Sequence, residues 1–518
     1  MKLAVSSMIP EIDLFCAKKL GIPMKTLMQK AGIAVADAVR ARVPQGKSIL
    51  VLAGKGNNGG DGYAAAVELM NEYSVKVYDI FSAGQKSEEG KYFLELFKEK
   101  GGTVVNYTSL DEIKEDIRNA GGIIDAVFGT GFAGEMPEQL RPIAIAAREA
   151  VGAHKIAVDV PLGINPDNGS VSDYAITATA TVSLSFIKPG IISYPARSFV
   201  GDIIYCDLGI PKDAVIESFS LRHHMVDSDW AVRNLPGREE NSNKGTFGKL
   251  LIITGSERYR GAAHLSSEAA LRSGVGLVTF LGCKELINEL SQKYPEMIYK
   301  EKSINNSISD DDIAQICAIS AEHTATLIGS GSDNTEGLGR LVLSLLDSEG
   351  TPLVLDADAL NALSAMGASG ILALKNAKRK VIITPHPLEF ARLSMSDVAN
   401  VQQHRLEAAE KFALENKLTL VLKGAGTIVV GDGEIYINTN GSSALAKAGS
   451  GDVLAGVIGA LVAQGKAAPS ISAALAVYLH AMAAQNLAGE LSSYGVTPSD
   501  LPKEIARCMA YLEKRDLI

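Results

Sequence analysis

Short apolar, β-branched runs alternate with longer amphipathic stretches along most of the chain. After helical spacing from about Ile9 to Arg42, SILVLAG (48–54), VKVYDIF (75–81), GGIIDAVFGTG (121–131), HKIAVDV (154–160) and ATVSLSFI (180–187) read as buried strands. Loops rich in Gly, Asn and Pro separate them, and a helix is expected over 63–73. The alternation lapses over 212–244, a polar stretch holding the only tryptophan, Trp230, and resumes with strands at 249–256, 277–282, 326–331, 352–358 and 380–387 and a helix over 262–274. Two strand-like runs within 418–438 meet at Gly431-Asp432-Gly433, a hairpin sequence, and two alanine-rich helices starting near Gly451 and Ile471 close the chain. Strands alternating with helices predict mostly parallel sheets covered on both faces. The expected organisation is therefore α/β throughout: one domain over 1–211, a linker over 212–234 and a second domain over 235–518.

Composition narrows this picture. Hydrophobic residues make up 47% and aromatics only 6%, which fits aliphatic cores between sheets and helices. A formal charge of -9 argues against nucleic acid or a membrane as partner. Cys16, Cys206, Cys283, Cys317 and Cys508 are scattered without a CxxC pair, and the N-terminus lacks a sustained apolar run, so a reducing, cytoplasmic setting is expected.

Candidate chemistry sits at two strand ends. GKGNNGGDGY (54–63) leaves a strand and opens a helix, where glycines let backbone amides approach an anion and the helix N-terminus adds positive potential. Asn57, Asn58 and Asp61 lie there, and Asp125 and Asp159 end later strands on the edge where such sheets bind ligands. Either aspartate alone also suits a loop or helix cap; with Asn58 they make a polar set fit for proton transfer or a hard cation. LMQKAG (27–32), GKGNNGGDG, DAVFGTG and VDVPLG resemble, in order, the signatures of the YjeF N-terminal family, the NAD(P)H-hydrate epimerases. The resemblance implies a Rossmann-like fold, epimerisation at C6 of hydrated NADH or NADPH, and a potassium ion. It implies substrate contacts at Asn57, Asn58, Gly59, Gly60, Asp61, Gly129, Thr130, Gly131, Phe132, Ala133, Gly134, Glu135 and Asp159, with Asp159 as acid/base. Asn58 and Asp125 would bind potassium, together with position 162, where Leu162 replaces the usual Ser and only its backbone carbonyl is left to offer oxygen.

The second constellation is AKAGSGDVLAGVIGALVAQG (446–465). Helical spacing from Gly451 places Gly449, Ser450 and Gly451 at a helix N-terminus whose free amides form an anion hole, with Asp452 positioned to take a proton from a hydroxyl. KGAGT (423–427) follows a strand and offers Lys423 and backbone amides to a nucleotide, and His386 stands between prolines at another strand end. Asp356 and Asp358 suit either a helix cap or a place near phosphates and magnesium. With SERYRGAAHLSSEAALRSGVGLVT, GSGSD, VLDADALN and TPHPLEF, these segments resemble the ribokinase-like NAD(P)H-hydrate dehydratases. That implies dehydration of the S hydrate (NADHX or NADPHX) with ADP or ATP and Mg2+. Substrate contacts would fall at Ala262, Gly331, His386 and Asp452, and nucleotide contacts at Lys423, Gly424, Ala425, Gly426, Thr427 and Gly451, with Asp452 the catalytic base. Leu388 and Asn243 depart from the family pattern, which usually has Gly and His there. Related proteins assemble, so a homo-oligomer is expected. Two rivals stand beside hydrate repair: a vitamin kinase of the same superfamily, and a first domain that only binds or assembles.

Overall fold

The computed structural model describes residues 1–81, 84 and 86–516. The chain divides into two compact units, residues 2–223 and residues 224–518 together with Met1, so the division falls inside the polar lapse. That lapse is itself structured: Lys212–Ser218 and Ser228–Asn234 are helical and His223–Val226 is a strand. Asp227 caps the second helix by accepting a hydrogen bond from the Trp230 amide, a local signal masked by the polar composition.

Among the described residues, the sheet of the first unit has seven strands, all parallel: β1 (Ser48–Ala53), β2 (Ser74–Asp79), β3 (Thr103–Asn106), β4 (Gly122–Ala126), β5 (His154–Val158), β6 (Ala180–Leu184) and β7 (Asp202–Cys206). Their spatial order is β3-β2-β1-β4-β5-β6-β7. Alternate residues of β1 feed two cores, Ile49, Val51 and Ala53 on one face and Leu50 and Leu52 on the other, which is why the strand reads as one unbroken apolar run. The helical signals at the start resolve into Ile9–Lys19 and α1 (Met24–Arg40), parted at Gly21-Ile22-Pro23.

Helix α2 (Asn57–Leu69) begins six residues before the expected start at Tyr63 and runs through the glycine-rich segment. The glycines serve packing. A Cβ on Gly59 would lie 2.1 Å from the Gly54 carbonyl oxygen, and one on Gly60 would lie 2.5 Å from the Met28 methyl of α1. Gly32 of α1 likewise meets Ala64 of α2 at a distance that admits no Cβ.

In the second unit, β8 (Lys249–Ile253), β9 (Leu277–Gly282), β10 (Ile298–Glu301), β11 (Ala325–Ile328), β12 (Leu353–Leu355), β13 (Val381–Ile383) and β14 (Thr419–Leu422) are parallel, and β15 (Ile428–Gly431) and β16 (Glu434–Asn438) close the run as an antiparallel hairpin. Within their sheet these nine strands run in the order β16-β15-β14-β13-β12-β11-β8-β9-β10, and the sheet continues past β16 with the strand His223–Val226. The expected pair of strands within 418–438 is thus three, because KGAGT turns the chain between β14 and β15. Helices α3 (Arg260–Arg272), α4 (Pro387–Leu393), α5 (Ser450–Ala463) and α6 (Pro469–Gly495) matter most for the site. α6 is long and apolar enough to cross a membrane, yet 72% of its apolar window is buried inside the protein, as befits a core helix. A further amphipathic helix, Leu501–Asp516, follows the two alanine-rich ones and closes the core through Leu501, Ile505, Cys508 and Leu512.

Candidate active sites

At the carboxyl ends of β1, β4, β5 and β6, the first unit holds a cavity of about 400 Å³. The structure brings Asn57, Asn58, Asp61, Gly129, Thr130, Gly131 and Asp159 to its walls. It adds three charged residues that the sequence reading did not single out, Asp13, Lys55 and Lys188. α2 has no side-chain cap, so its first amides are free toward the cavity. Phe132 points instead into the core and Glu135 is almost fully exposed.

Asp159 and Lys188 form a buried ion pair. The Lys188 ammonium donates to Asp159 Oδ1 and to the Leu184 carbonyl at 3.2 Å, and the Leu184 amide donates to the same carboxylate at 3.1 Å. Asp159 has φ of 66°, in the left-handed region. Strain of this kind persists where surrounding structure imposes it, commonly at functional sites. Around the pair, burial holds Asp61 well above the usual carboxylate range, with Asp159 and Asp13 adding to the rise. Burial also pushes Asp13 up to about 6, against the pull of Lys188 and with help from Asp159. The Lys188 ammonium therefore sits among three carboxyl groups, two of which have pKa values raised by burial.

Asp125, on β4, does not line this cavity; it is 1% exposed and accepts hydrogen bonds from the Leu162 amide at 2.7 Å and the Val127 amide at 3.4 Å. Burial raises its pKa to about 6, opposed only by those two amides. Leu162 reaches it through N–H; its side chain lies in the core and its carbonyl accepts from the Ile176 amide. The Asn58 amide packs against Gly129, and its Nδ2 is buried with no partner.

In the second unit, Asp356 ends β12 fully buried and organises the centre. Its Oδ1 accepts from Lys423 Nζ at 2.9 Å and from Thr384 at 2.6 Å, and its Oδ2 accepts from Ser330 at 2.8 Å. Burial alone would lower the Lys423 pKa, but Asp356 and Glu389 outweigh it and raise it. His386 caps α4: its Nδ1 accepts from the amides of Leu388 and Glu389, while Glu389 accepts from the His386 amide at 2.8 Å. Because Nδ1 accepts, the ring carries its N–H at Nε2, 3.3 Å from Glu389 Oε1, and burial together with Lys423 lowers the His386 pKa.

Gly449, at φ 100°, is the N-cap of α5, and no side chain caps this helix. Among the described residues, the amides of Gly451 and Asp452 donate to nothing, leaving the anion hole open. Asp452 stands beside it with its pKa raised to about 7, by burial and by Asp356, against Lys423. Behind it, His480 of α6 is kept neutral, pushed to about 4 by burial despite a hydrogen bond to the Ser450 backbone. A Cβ on Gly331 would lie 2.7 Å from that of Ala262, which joins these two expected contacts in one wall. His480 and Arg405 carried no recognisable local sequence signal, each gaining its environment from segments remote in the chain, whereas Glu389 lies within TPHPLEF and was not singled out there.

Residues 24–190 match the family described as YjeF-related protein N-terminus, and residues 250–507 match NAD(P)H-hydrate dehydratase. A bifunctional NAD(P)H-hydrate repair enzyme from Moorella thermoacetica is 34% identical over 516 residues, 97% of this chain and 95% of its own. One from Escherichia coli is 31% identical over 95% of this chain and 90% of its own. A solved ADP/ATP-dependent NAD(P)H-hydrate dehydratase from Bacillus subtilis, co-crystallised with ATP and Mg2+, is 30% identical and covers 55% of this chain and 98% of its own at a TM-score of 0.48.

Proposed function

Because the chain belongs to the family of bifunctional NAD(P)H-hydrate repair enzymes, we propose that its two cavities divide that repair by chemistry: hydrate epimerisation at Asp159 and Lys188, and nucleotide-driven dehydration at Asp452. The single observation that carries the assignment is the pairing of Asp452 with the free amides at the start of α5.

In the first site, exchange at C6 proceeds by breaking the C6–O bond and re-forming it on the other face. Protonated Asp13 or Asp61 gives a proton to the departing hydroxyl, which leaves as water as the ring nitrogen forms a double bond to C6. The Asp159 carboxylate, oriented by Lys188, takes a proton from the water that adds back. Potassium fits beside this chemistry. Asp125 is a buried carboxylate without a cationic partner, and the Asn58 side chain, with its amide oxygen beside Gly129, has an oxygen to offer. Asn58 and Asp125 would hold the ion; the Leu162 carbonyl already accepts from the Ile176 amide, and Leu162 turns its N–H to Asp125. When bound, the ion would balance the buried Asp125 charge.

In the second site, Asp452 takes the proton of the C6 hydroxyl, whose oxygen attacks the terminal phosphorus of ADP or ATP as its bond to the remaining nucleotide breaks. The amides of Gly451 and Asp452 hold the transferred phosphoryl oxygens. The ring nitrogen then expels phosphate from C6, and loss of a proton from C5 restores NADH or NADPH. Ala262, Gly331 and His386 line the substrate side, and Lys423 and the amides of 424–427 face the nucleotide. Asp358, held up by burial, is a carboxylate suited to the Mg2+ that accompanies it.

The five free cysteines and the charge of -9 support a cytoplasmic enzyme acting on small molecules, with neither nucleic acid nor membrane as partner. Self-association is part of the same reading.

The test incubates mixed R and S hydrates of NADH with the protein, Mg2+, K+ and ADP or ATP, and follows both epimers by chromatography. Both epimers are expected to disappear into NADH, R by way of S. Consumption of S alone, beyond spontaneous exchange, would remove the epimerase assignment, and a stable phosphorylated alcohol would favour the vitamin-kinase reading.

A further inference from the structure

Arg405 opens the helix Arg405–Asn416 directly behind the KGAGT turn, and only 2% of it is exposed. Its guanidinium donates to the Lys423 carbonyl at 3.2 Å, to the Leu422 carbonyl at 3.4 Å and to Gln402 Oε1 at 2.9 Å, and its Nε has no partner. Among the described residues, no carboxylate pairs with it, and burial lowers its pKa to about 10. A buried cation left without a counter-charge is costly, so its presence calls for an anion arriving from elsewhere.

The backbone in front of it shows where that anion comes. A trans peptide points its C=O and N–H in opposite directions. Holding the Lys423 carbonyl against Arg405 therefore turns the Gly424 amide outward, away from the guanidinium. Among the described residues, the amides of Gly424, Ala425 and Gly426 donate to nothing, so the turn presents a concave set of N–H groups. Gly424 has φ of 134°, and a Cβ there would lie 2.9 Å from the guanidinium, so glycine is what lets the cation approach this closely.

We propose that Arg405 is a positioning residue for the nucleotide phosphates: it sets the outward face of the Gly424 amide and supplies buried positive charge that is balanced only when a phosphate is seated. The assignment rests on nucleotide-dependent dehydration in this unit. Lys423 is already paired with Asp356, so Arg405 is the charge that distinguishes ADP from AMP and from uncharged adenosine.

The experiment titrates ADP, AMP and adenosine calorimetrically into the full chain carrying Arg405→Met or Arg405→Lys. Arg405→Met is expected to weaken ADP by roughly tenfold or more, AMP by less, and adenosine not at all. In dehydration it raises KM for ADP by a larger factor than it lowers kcat, and Arg405→Lys recovers part of the lost affinity. Equal losses for ADP and adenosine would mean that Arg405 only shapes the turn, and would overturn the assignment. If the Met variant does not fold, Arg405→Gln replaces it, with the same graded loss expected. A wild-type chain that binds ADP and AMP, with variants that bind them equally well, overturns this assignment alone. A wild-type chain that binds neither overturns it together with the nucleotide dependence beneath it.

Discussion

Asp452 is poised to titrate where the enzyme works. With a pKa of about 7, it accepts a proton only once ionised, so dehydration should rise as pH increases from 6 to 8, and Asp452→Asn should lower the rate by roughly 10²–10⁴-fold and flatten the profile. Stability runs the other way. The folded state holds this proton more tightly than the unfolded chain, so the stability owed to the group is complete below about pH 4 and is lost as pH rises through about 7. Parallel rate and denaturation profiles of the two proteins check both signs. The Asp159–Lys188 pair allows a harsher test. Lys188→Met leaves a buried carboxylate unpaired, which should cost about 3–5 kcal/mol by denaturant titration and slow epimer exchange. Asp159 was legible because it ends an apolar run beside glycines. Lys188 and Asp13 were not: one follows β6, the other sits on an early helix, and only the fold brings them to the same carboxylate.

At the level of elements, apolar runs announced the strands because their two buried faces leave no polar alternation to misread. The start of α2 stayed hidden because glycine is a poor helix former, and its reason for being there is a neighbour: the Gly54 carbonyl at Gly59, Met28 at Gly60. Gly59→Ala should therefore destabilise the first unit by about 1–3 kcal/mol, despite the higher helix propensity of alanine. Amide exchange along α1 and α2 would register the loss, and a gain in protection there would show that propensity outweighs contact. The hairpin at Gly431-Asp432-Gly433 was plain from its turn residues, and KGAGT was read as following a strand, but the run beyond it was not counted as a strand of its own.

Each unit closes its own cores and carries its own reaction site, so the two reactions should be separable within the whole molecule. Asp159→Asn is expected to stop accelerated exchange while leaving dehydration of S intact, and Asp452→Asn to do the reverse. Mixed together, the two variant proteins should convert both epimers to NADH, with S hydrate passing between them through solution. Chromatography of the mixture decides the point: persistence of R, with each single activity still present, would require transfer within one chain.

The left-handed backbone at Asp159 has a consequence for how sequences of this fold are read over evolutionary time. A residue with a Cβ is generally disfavoured there by about 1–2 kcal/mol relative to glycine, with aspartate and asparagine the side chains that tolerate the region best. Selection for hydrate exchange keeps the acid in place. A lineage relieved of that demand has every reason to relax the position to glycine, and to discard the ammonium at 188, which would then be a stranded charge. Paired loss at 159 and 188, with the surrounding glycines intact, is thus the expected mark of a descendant that kept the fold and gave up the reaction.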